Sequence, residues 1–270
     1  MRTRRPIVVV GAGVAGLATA LAAAPAPVRL LCREYDGTGS ASAMAQGGIA
    51  AAIDPADDPA AHACDTLTAG AHHNDPAMVE WLTGIAVEAI GWLQQQGVVF
   101  DRDEHDRLQL GREGGHSAAR VVHAGGDASG AALLHALRAR AQAAPHIQWR
   151  GGVDVEALAL RDRRVVGVRT RDQRGRQQSI EASAVVIATG GIGALFARTT
   201  NPPGADGAGL ALAMAAGART RDLEFVQFHP TALDVPGKHC LPLITEALRG
   251  AGAKLRDGDG NLLMKGVHPL

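Results

Sequence analysis

Ile7 to Val10 is an unbroken β-branched run, the pattern of a strand buried on both faces. Val14 to Ala24, rich in Ala and Leu, predicts a helix stopped by Pro25 and Pro27, and Val28 to Leu31 is the next strand. Strand, helix and strand within about thirty residues make a βαβ unit. Residues 36–48 carry Gly, Ser and Ala without apolar periodicity and read as a loop that touches ligand. Asp75-Pro76 starts a helix, Asp75 as cap and Pro76 in the first turn, with Val79, Leu82, Ala86, Ala89 and Leu93 on one face and Gly97 as its end. Val98 to Phe100 predicts a short strand, and Asp101 to Arg107 a solvated turn. Ser129 to Ala143 is a second amphipathic helix, closed before Pro145. Val153 to Leu160 and Val165 to Thr170, joined by a polar turn, predict a hairpin or meander. Ala184 to Ala188 returns to the buried parallel-strand pattern and ends in Thr189-Gly-Gly191. Ala208 to Ala216 is a short helix ended by Gly217, and residues 261–270 read as a strand running into a loop.

Composition narrows this only a little. A chain of 270 residues makes one large domain or two modest ones, and 46% hydrophobic with 20% charged residues and zero net charge is an ordinary globular balance. Nothing basic points to nucleic acid or to an anionic membrane. The three cysteines, Cys32, Cys64 and Cys240, are odd in number and form no CxxC, so neither a disulfide framework nor a zinc ribbon is implied, and a reducing cytoplasm is the simplest compartment. The basic Met1 to Pro6 before an apolar run imitates a signal peptide. Glycines at phosphate-turn spacing and an immediate second strand argue against that reading, and the Gly and Pro interruptions argue against a membrane span. No metal site is expected. Asp257-Gly-Asp-Gly-Asn261 starts like a calcium loop, but its twelfth position is His268, so a hairpin turn is the better reading. His72-His73 has no partner at ligand spacing and reads as loop surface.

The first chemistry lies between strand and helix, in Gly11-Ala12-Gly13-Val14-Ala15-Gly16. Gly11 permits the tight turn, Gly13 lets a pyrophosphate approach the backbone, and Gly16 lets helix and strand pack closely. The amide ends of Val14 and Ala15 open the helix and favour negative charge. A ribose-binding carboxylate is expected at the end of the second strand, where Cys32 stands, followed by Arg33 and Glu34. Two readings stay open: Glu34 serves after a small register change, or backbone groups near Arg33 bind the adenosine.

Further motifs follow in order. They are Ser40-Ala-Ser42-Ala-Met-Ala45-Gln46-Gly47-Gly48, Val185-Val-Ile-Ala-Thr189-Gly190-Gly191, Asn201-Pro-x-Gly-x-Asp206-Gly207, Gln227-Phe-His229-Pro-Thr-Ala-Leu233 and Thr245-Glu246-x-x-Arg249. Together with the first turn they resemble the succinate dehydrogenase/fumarate reductase flavoproteins, over nearly the whole chain. The resemblance implies an α/β, FAD-binding two-dinucleotide-motif (Rossmann-like) flavoprotein fold, with an FAD-binding domain over residues 1–222 and the start of a substrate-capping domain over 223–270. It implies FAD contacts from the glycine turn, Arg33, Ser40, Ser42, Ala45 to Gly48, Thr189, Gly190 and Asp206. Membrane-complex members link flavin to a His of the Ser40 loop; residues 40–48 contain none, so the FAD is expected to be noncovalent. It also implies that His229 and Thr245 bind a substrate carboxylate and that Glu246 takes part in proton movement.

Arg112-Glu113-Gly-Gly-His-Ser117 resembles one branch, the L-aspartate oxidases, in which the matching Glu faces the substrate amino group. A carboxylate suits an ammonium that succinate lacks. The branch implies oxidation of L-aspartate to iminoaspartate, the first step of quinolinate and NAD synthesis. Oxygen or fumarate would reoxidise the flavin, and quinolinate synthase would be the pathway partner. The family's chain continues for a similar length again, with a catalytic Arg in a Pro-Arg-Asp context that would lie beyond Leu270, so the sequence reads as an N-terminal fragment. The alternatives are a soluble fumarate reductase or succinate dehydrogenase flavoprotein, and an inactive FAD-binding fragment.

Overall fold

The structure, a computed structural model, describes residues 4–34, 39–229, 231–244, 248 and 252–266. By contacts the chain divides into two compact units. The first takes Met1–Ala45, Gln96–Val98 and Gly130–Pro242; the second takes Gln46–Gln95, Val99–Ser129 and Leu243–Leu270.

In the first unit the expected βαβ forms from β1 (Ile7–Val10), α1 (Val14–Ala22) and β2 (Val28–Leu31). The helix ends before the expected Ala24, because a residue preceding proline is driven out of the helical region. β10 (Ala184–Ile187) returns parallel beside β1, pairing Ile7 with Ala184, as its apolar run predicted. A fourth strand, β6 (Ile147–Arg150), extends the parallel sheet from β2 in the order β10-β1-β2-β6. Its sequence, Ile-Gln-Trp-Arg, has no apolar run, which hid it.

The hairpin region is a three-stranded antiparallel meander of β7 (Val153–Arg161), β8 (Arg164–Asp172) and β9 (Gln177–Glu181). Val168, Ile180 and Ala182 of that region pack with Val8, Val10 and Leu31 of the parallel sheet in one core cluster. The Ser40 loop contains a short helix, α2 (Ala41–Met44). Toward the end of the unit, α6 (Ala208–Ala215) forms where expected.

The second unit contains β3 (Ile49–Ala50), β4 (Leu110–Gly111) and β5 (Val121–Val122), a small antiparallel sheet in the order β3-β5-β4. Two helices, α3 (Pro59–Ala69) and α4 (Pro76–Gln95), pack on each other. The sequence reading omitted α3, although Asp58-Pro59 carries the same start signal as Asp75-Pro76. The Asp58 carboxylate accepts the Ala61 N–H at 2.8 Å, and that of Asp75 accepts the Ala77 N–H at 3.0 Å.

The face of α4 is rotated from the expected one. Val79, Thr83, Ile90 and Leu93 are buried, whereas Leu82 is 58% exposed and Ala89 is exposed. Thr83 can be buried because its hydroxyl donates to the Val79 carbonyl at 3.0 Å, so no polar atom is stranded. Val98 to Phe100 forms no ladder, although Val98 and Phe100 are buried and Val99 faces solvent. Near the C-terminus Asp257 accepts the Asn261 N–H at 2.8 Å in a tight turn closing the Arg256–Leu262 bridge. That is the expected hairpin turn. Residues 261–266 carry only this single bridge in place of the expected strand.

The helix α5 (Ser129–Ala143) matches its expected span and buries Leu133, Leu134, Leu137 and Ala141. No helix among the described residues is long and apolar enough to cross a membrane.

Candidate functional site

The parallel sheet carries its site where β1 runs into α1. Gly11 has φ of +108°, and a Cβ there would stand 2.2 Å from the Ala188 carbonyl oxygen just after β10. A Cβ on Gly16 would stand 1.9 Å from the Gly11 carbonyl oxygen, so helix and turn touch through bare backbone. Gly13 is different: its missing Cβ would meet only side-chain atoms, the Ser42 hydroxyl at 3.1 Å being nearest. The Ser42 hydroxyl accepts the Val14 N–H at 3.2 Å and so ties the Ser40 loop to the first turn of α1.

These elements surround a cavity of about 490 Å³. Of the candidate cofactor residues, Gly11, Ala12, Gly13, Ala15, Arg33, Ser40, Ser42, Thr189, Gly190 and Asp206 line it. Val14 and Gly16 do not line it. Ala45 does not line it; its carbonyl accepts the Gly130 N–H at 3.0 Å. Gln46, Gly47 and Gly48 belong to the second unit, where Gly48 packs against the Val122 backbone so closely that a Cβ would meet its carbonyl oxygen at 2.2 Å.

At the far strand end Arg33 binds Asp206 at 2.5 Å and also Asp154. The hydrogen bond to Asp206 raises the Arg33 pKa, against partial burial, with Asp154 adding to it. Burial opposes ionisation of Asp206, but the bonds from Arg33 and the Ala208 N–H hold its carboxyl below the ordinary range. Cys32 is buried, and its thiol donates to the Glu34 carbonyl at 2.9 Å, the setting of an inert structural thiol. The Glu34 carboxylate reaches the cavity wall and accepts the Gly39 N–H.

A second cavity of about 250 Å³ lies wholly in the second unit. Gln46, Gly47, Asp101, Glu113 and His123 line it, and no Lys or Arg among the described residues does. Glu113 lies just beyond β4 and His123 just beyond β5, at opposite ends of the antiparallel pair, and the His123 ring lies back over Gly111, within reach of Glu113. His123 Nε2 lies 3.2 Å from Glu113 Oε1. Gln46 Oε1 is buried without a hydrogen-bond partner among the described residues. The Asp101 carboxylate is engaged by the Gly125 and Gly126 N–H groups, at 2.8 and 2.9 Å.

Beside the loop that bears Glu113 sits a buried polar cluster that the sequence reading missed. Arg120 is fully buried and binds Asp57 through both Nε and Nη2 at 2.8 Å, and Asp65 through Nη1 at 2.5 Å. Asp65 also accepts the Ser117 N–H and hydroxyl, both at 2.7 Å. The Ser117 backbone and hydroxyl bonds, with Arg120, hold the Asp65 carboxyl far below the ordinary range. Bonds from Arg120 lower that of Asp57, and the Arg120 pKa is raised chiefly by Asp57. Burial, Arg120 and His116 push the His62 pKa down. Of its members only His116 and Ser117 stand in a motif, that of Arg112 to Ser117; Asp57, Asp65 and Arg120 carry no local signal of their own.

The His229 ring is half-buried in its own loop, with Nδ1 2.7 Å from the Thr231 carbonyl oxygen. Thr245 and Glu246 lie outside the described residues. No group of His, Cys, Asp and Glu among the described residues could hold a metal ion.

Residues 6–269 match the family described as FAD binding domain. The chain belongs to that family. FAD is its cofactor, and the residues present fit it: a glycine-walled cavity at a helix N-terminus, with Ser40 Oγ buried on its wall and lacking a partner among the described residues. The chain is 46% identical over 267 residues to the L-aspartate oxidase of Caulobacter vibrioides, covering 97% of this chain and 52% of that protein. The L-aspartate oxidase of Mesorhizobium japonicum is also 46% identical, covering 95% and 50%. This FAD-binding chain thus spans about half the length of the curated relatives it matches. Among solved structures, a quinol–fumarate reductase with menaquinol molecules superposes with TM-score 0.90 at 31% identity, over 98% of this chain and 46% of that one. A variant E. coli quinol–fumarate reductase gives 0.89 at 30%, over 96% and 44%. The expected flavoprotein fold is therefore correct.

Proposed function

We propose that the protein containing this chain oxidises L-aspartate to iminoaspartate. The Cα–H bond gives up its electron pair, the nitrogen loses a proton, and FAD, when bound, supplies the acceptor. Residues 1–222 are assigned to the FAD-binding domain and 223–270 to the start of a capping domain. The glycine turn, Ser40, Ser42, Thr189, Gly190 and Asp206 hold FAD without a covalent bond. Flavin retained in an acid-washed pellet of the holoprotein overturns that last point. Similarity to proteins named L-aspartate oxidase supports the reading; a place in quinolinate and NAD synthesis, with quinolinate synthase as next enzyme, and reoxidation by oxygen or fumarate in the cytoplasm are proposed with it. Similarity to fumarate reductases favours a second reading, reduction of fumarate as the main activity.

The observation that carries the first reading is Glu113 in a cavity that no Lys or Arg among the described residues lines. An ammonium entering there finds a charged acceptor. In the protein as its gene encodes it, Glu113→Gln keeps the shape and removes the charge. Loss of one charge-assisted bond is worth about 1.5–3 kcal/mol, roughly ten-fold or more in KM. Steady-state kinetics should show kcat/KM for L-aspartate falling at least that much relative to fumarate, which has no ammonium. Equal losses for both substrates would make Glu113 structural and leave fumarate reduction as the better reading. His229 and Thr245 are assigned to a substrate carboxylate; His229→Ala should weaken succinate inhibition, and unchanged inhibition removes the assignment.

A further inference from the structure

We infer that His123 is the positioning residue that aims Glu113 at the substrate ammonium, and hence sets the preference for an amino acid over a plain dicarboxylate. The inference rests on the reading of Glu113 above.

Glu113 sits in the turn after β4, where a lone carboxylate has several rotamers. His123 removes that freedom on one side, its Nε2 meeting Oε1 at 3.2 Å. The imidazole in either its charged form or its Nε2–H tautomer donates to a carboxylate, so the contact does not depend on one protonation state. Oε1 is thereby engaged, and Oε2 is left to accept from a ligand.

The His123 main chain is held in turn, and β4 makes room for the ring. Its carbonyl accepts the Asp101 N–H at 2.8 Å. A Cβ on Gly111 would stand 3.1 Å from His123 Cε1, closer than such atoms normally pack, so the glycine of β4 leaves room for the ring. Gln46, whose Oε1 is buried and without a partner among the described residues, lines the same cavity. A carboxylate in a cavity that no Lys or Arg among the described residues lines suits a donor-only cation such as a primary ammonium; a further carboxylate would not be stabilised there.

The test uses the FAD-loaded protein as its gene encodes it, with L-aspartate oxidation and fumarate reduction measured on each variant, and bound FAD by visible absorbance. His123→Leu removes the donor, and His123→Gln keeps one at a similar reach. The expected result is a fall of about ten-fold in the ratio of aspartate to fumarate kcat/KM for His123→Leu, carried mainly by KM. His123→Gln should recover most of it, with FAD content equal in all three. A merely structural role would lower both substrates alike, and that outcome overturns the inference. An unaltered ratio overturns it too, while leaving the assignment of Glu113 standing if Glu113→Gln still shifts the ratio. If the unmodified protein neither oxidises nor binds L-aspartate, as read from flavin difference spectra, the proposed function itself fails and this inference falls with it.

Discussion

The two units build their cavities from different materials. In the parallel-sheet unit, the wall beside the first turn is main chain: Gly11 against Ala188, Gly16 against Gly11, and the Val14 amide against Ser42. In the second unit the wall is side chain, with Glu113 set by His123 while the loop bearing it is tethered by Ser117, Asp65 and a fully buried Arg120. A backbone wall tolerates no substitution but needs no partner. A side-chain wall can change what it selects, at the cost of a supporting cluster whose every charge must stay paired.

The sharpest way to break the contrast is at Gly11. Gly11→Val places a side chain at positive φ against a carbonyl, and should abolish FAD binding and most soluble, folded protein. Gly13→Val should lose FAD while keeping the far-UV spectrum of the fold, because its new atoms meet only flexible side chains and the cavity. If both variants keep flavin on gel filtration, the backbone-wall account fails.

Next in size is Arg120→Met, which leaves Asp57 and Asp65 without their cation and should cost about 3–5 kcal/mol in denaturant unfolding. Both carboxyls are held below their ordinary range, so they bind protons more weakly folded than unfolded. Their contribution is whole above the ordinary carboxylate pKa of about 4 and is lost as pH falls below it. Arg120→Met should therefore flatten the acid side of the stability profile; an unchanged profile would mean that other groups govern it.

The smallest effect is expected at Arg33, whose pairs with Asp154 and Asp206 are half-exposed. Arg33→Met should change stability by under about 1 kcal/mol, less still in high salt. A loss comparable to that of Arg120→Met would erase the distinction between the two kinds of wall.

What the sequence made legible follows the same division. The β1 and β10 runs, the glycine turn and the helix starts at Asp75 and Ser129 rest on short-range rules, and they stand where expected. β6 escaped because its pairing with β2, not its own pattern, makes it a strand. The α4 face was misread because two helical rows lead from Val79, and only packing chose the one through Thr83. Glu113 was singled out from its motif and Gln46 as a flavin contact; that they share a cavity with His123 was not legible, since residues 46, 113 and 123 meet only after the small sheet forms.

The sequence by itself determined the backbone of the cofactor turn, because glycine spacing states where a chain may bend and touch. Only the tertiary structure decided which side chains share the second cavity and which charges are buried with Arg120. Those choices depend on contacts between residues far apart in the chain, and no local pattern encodes such contacts.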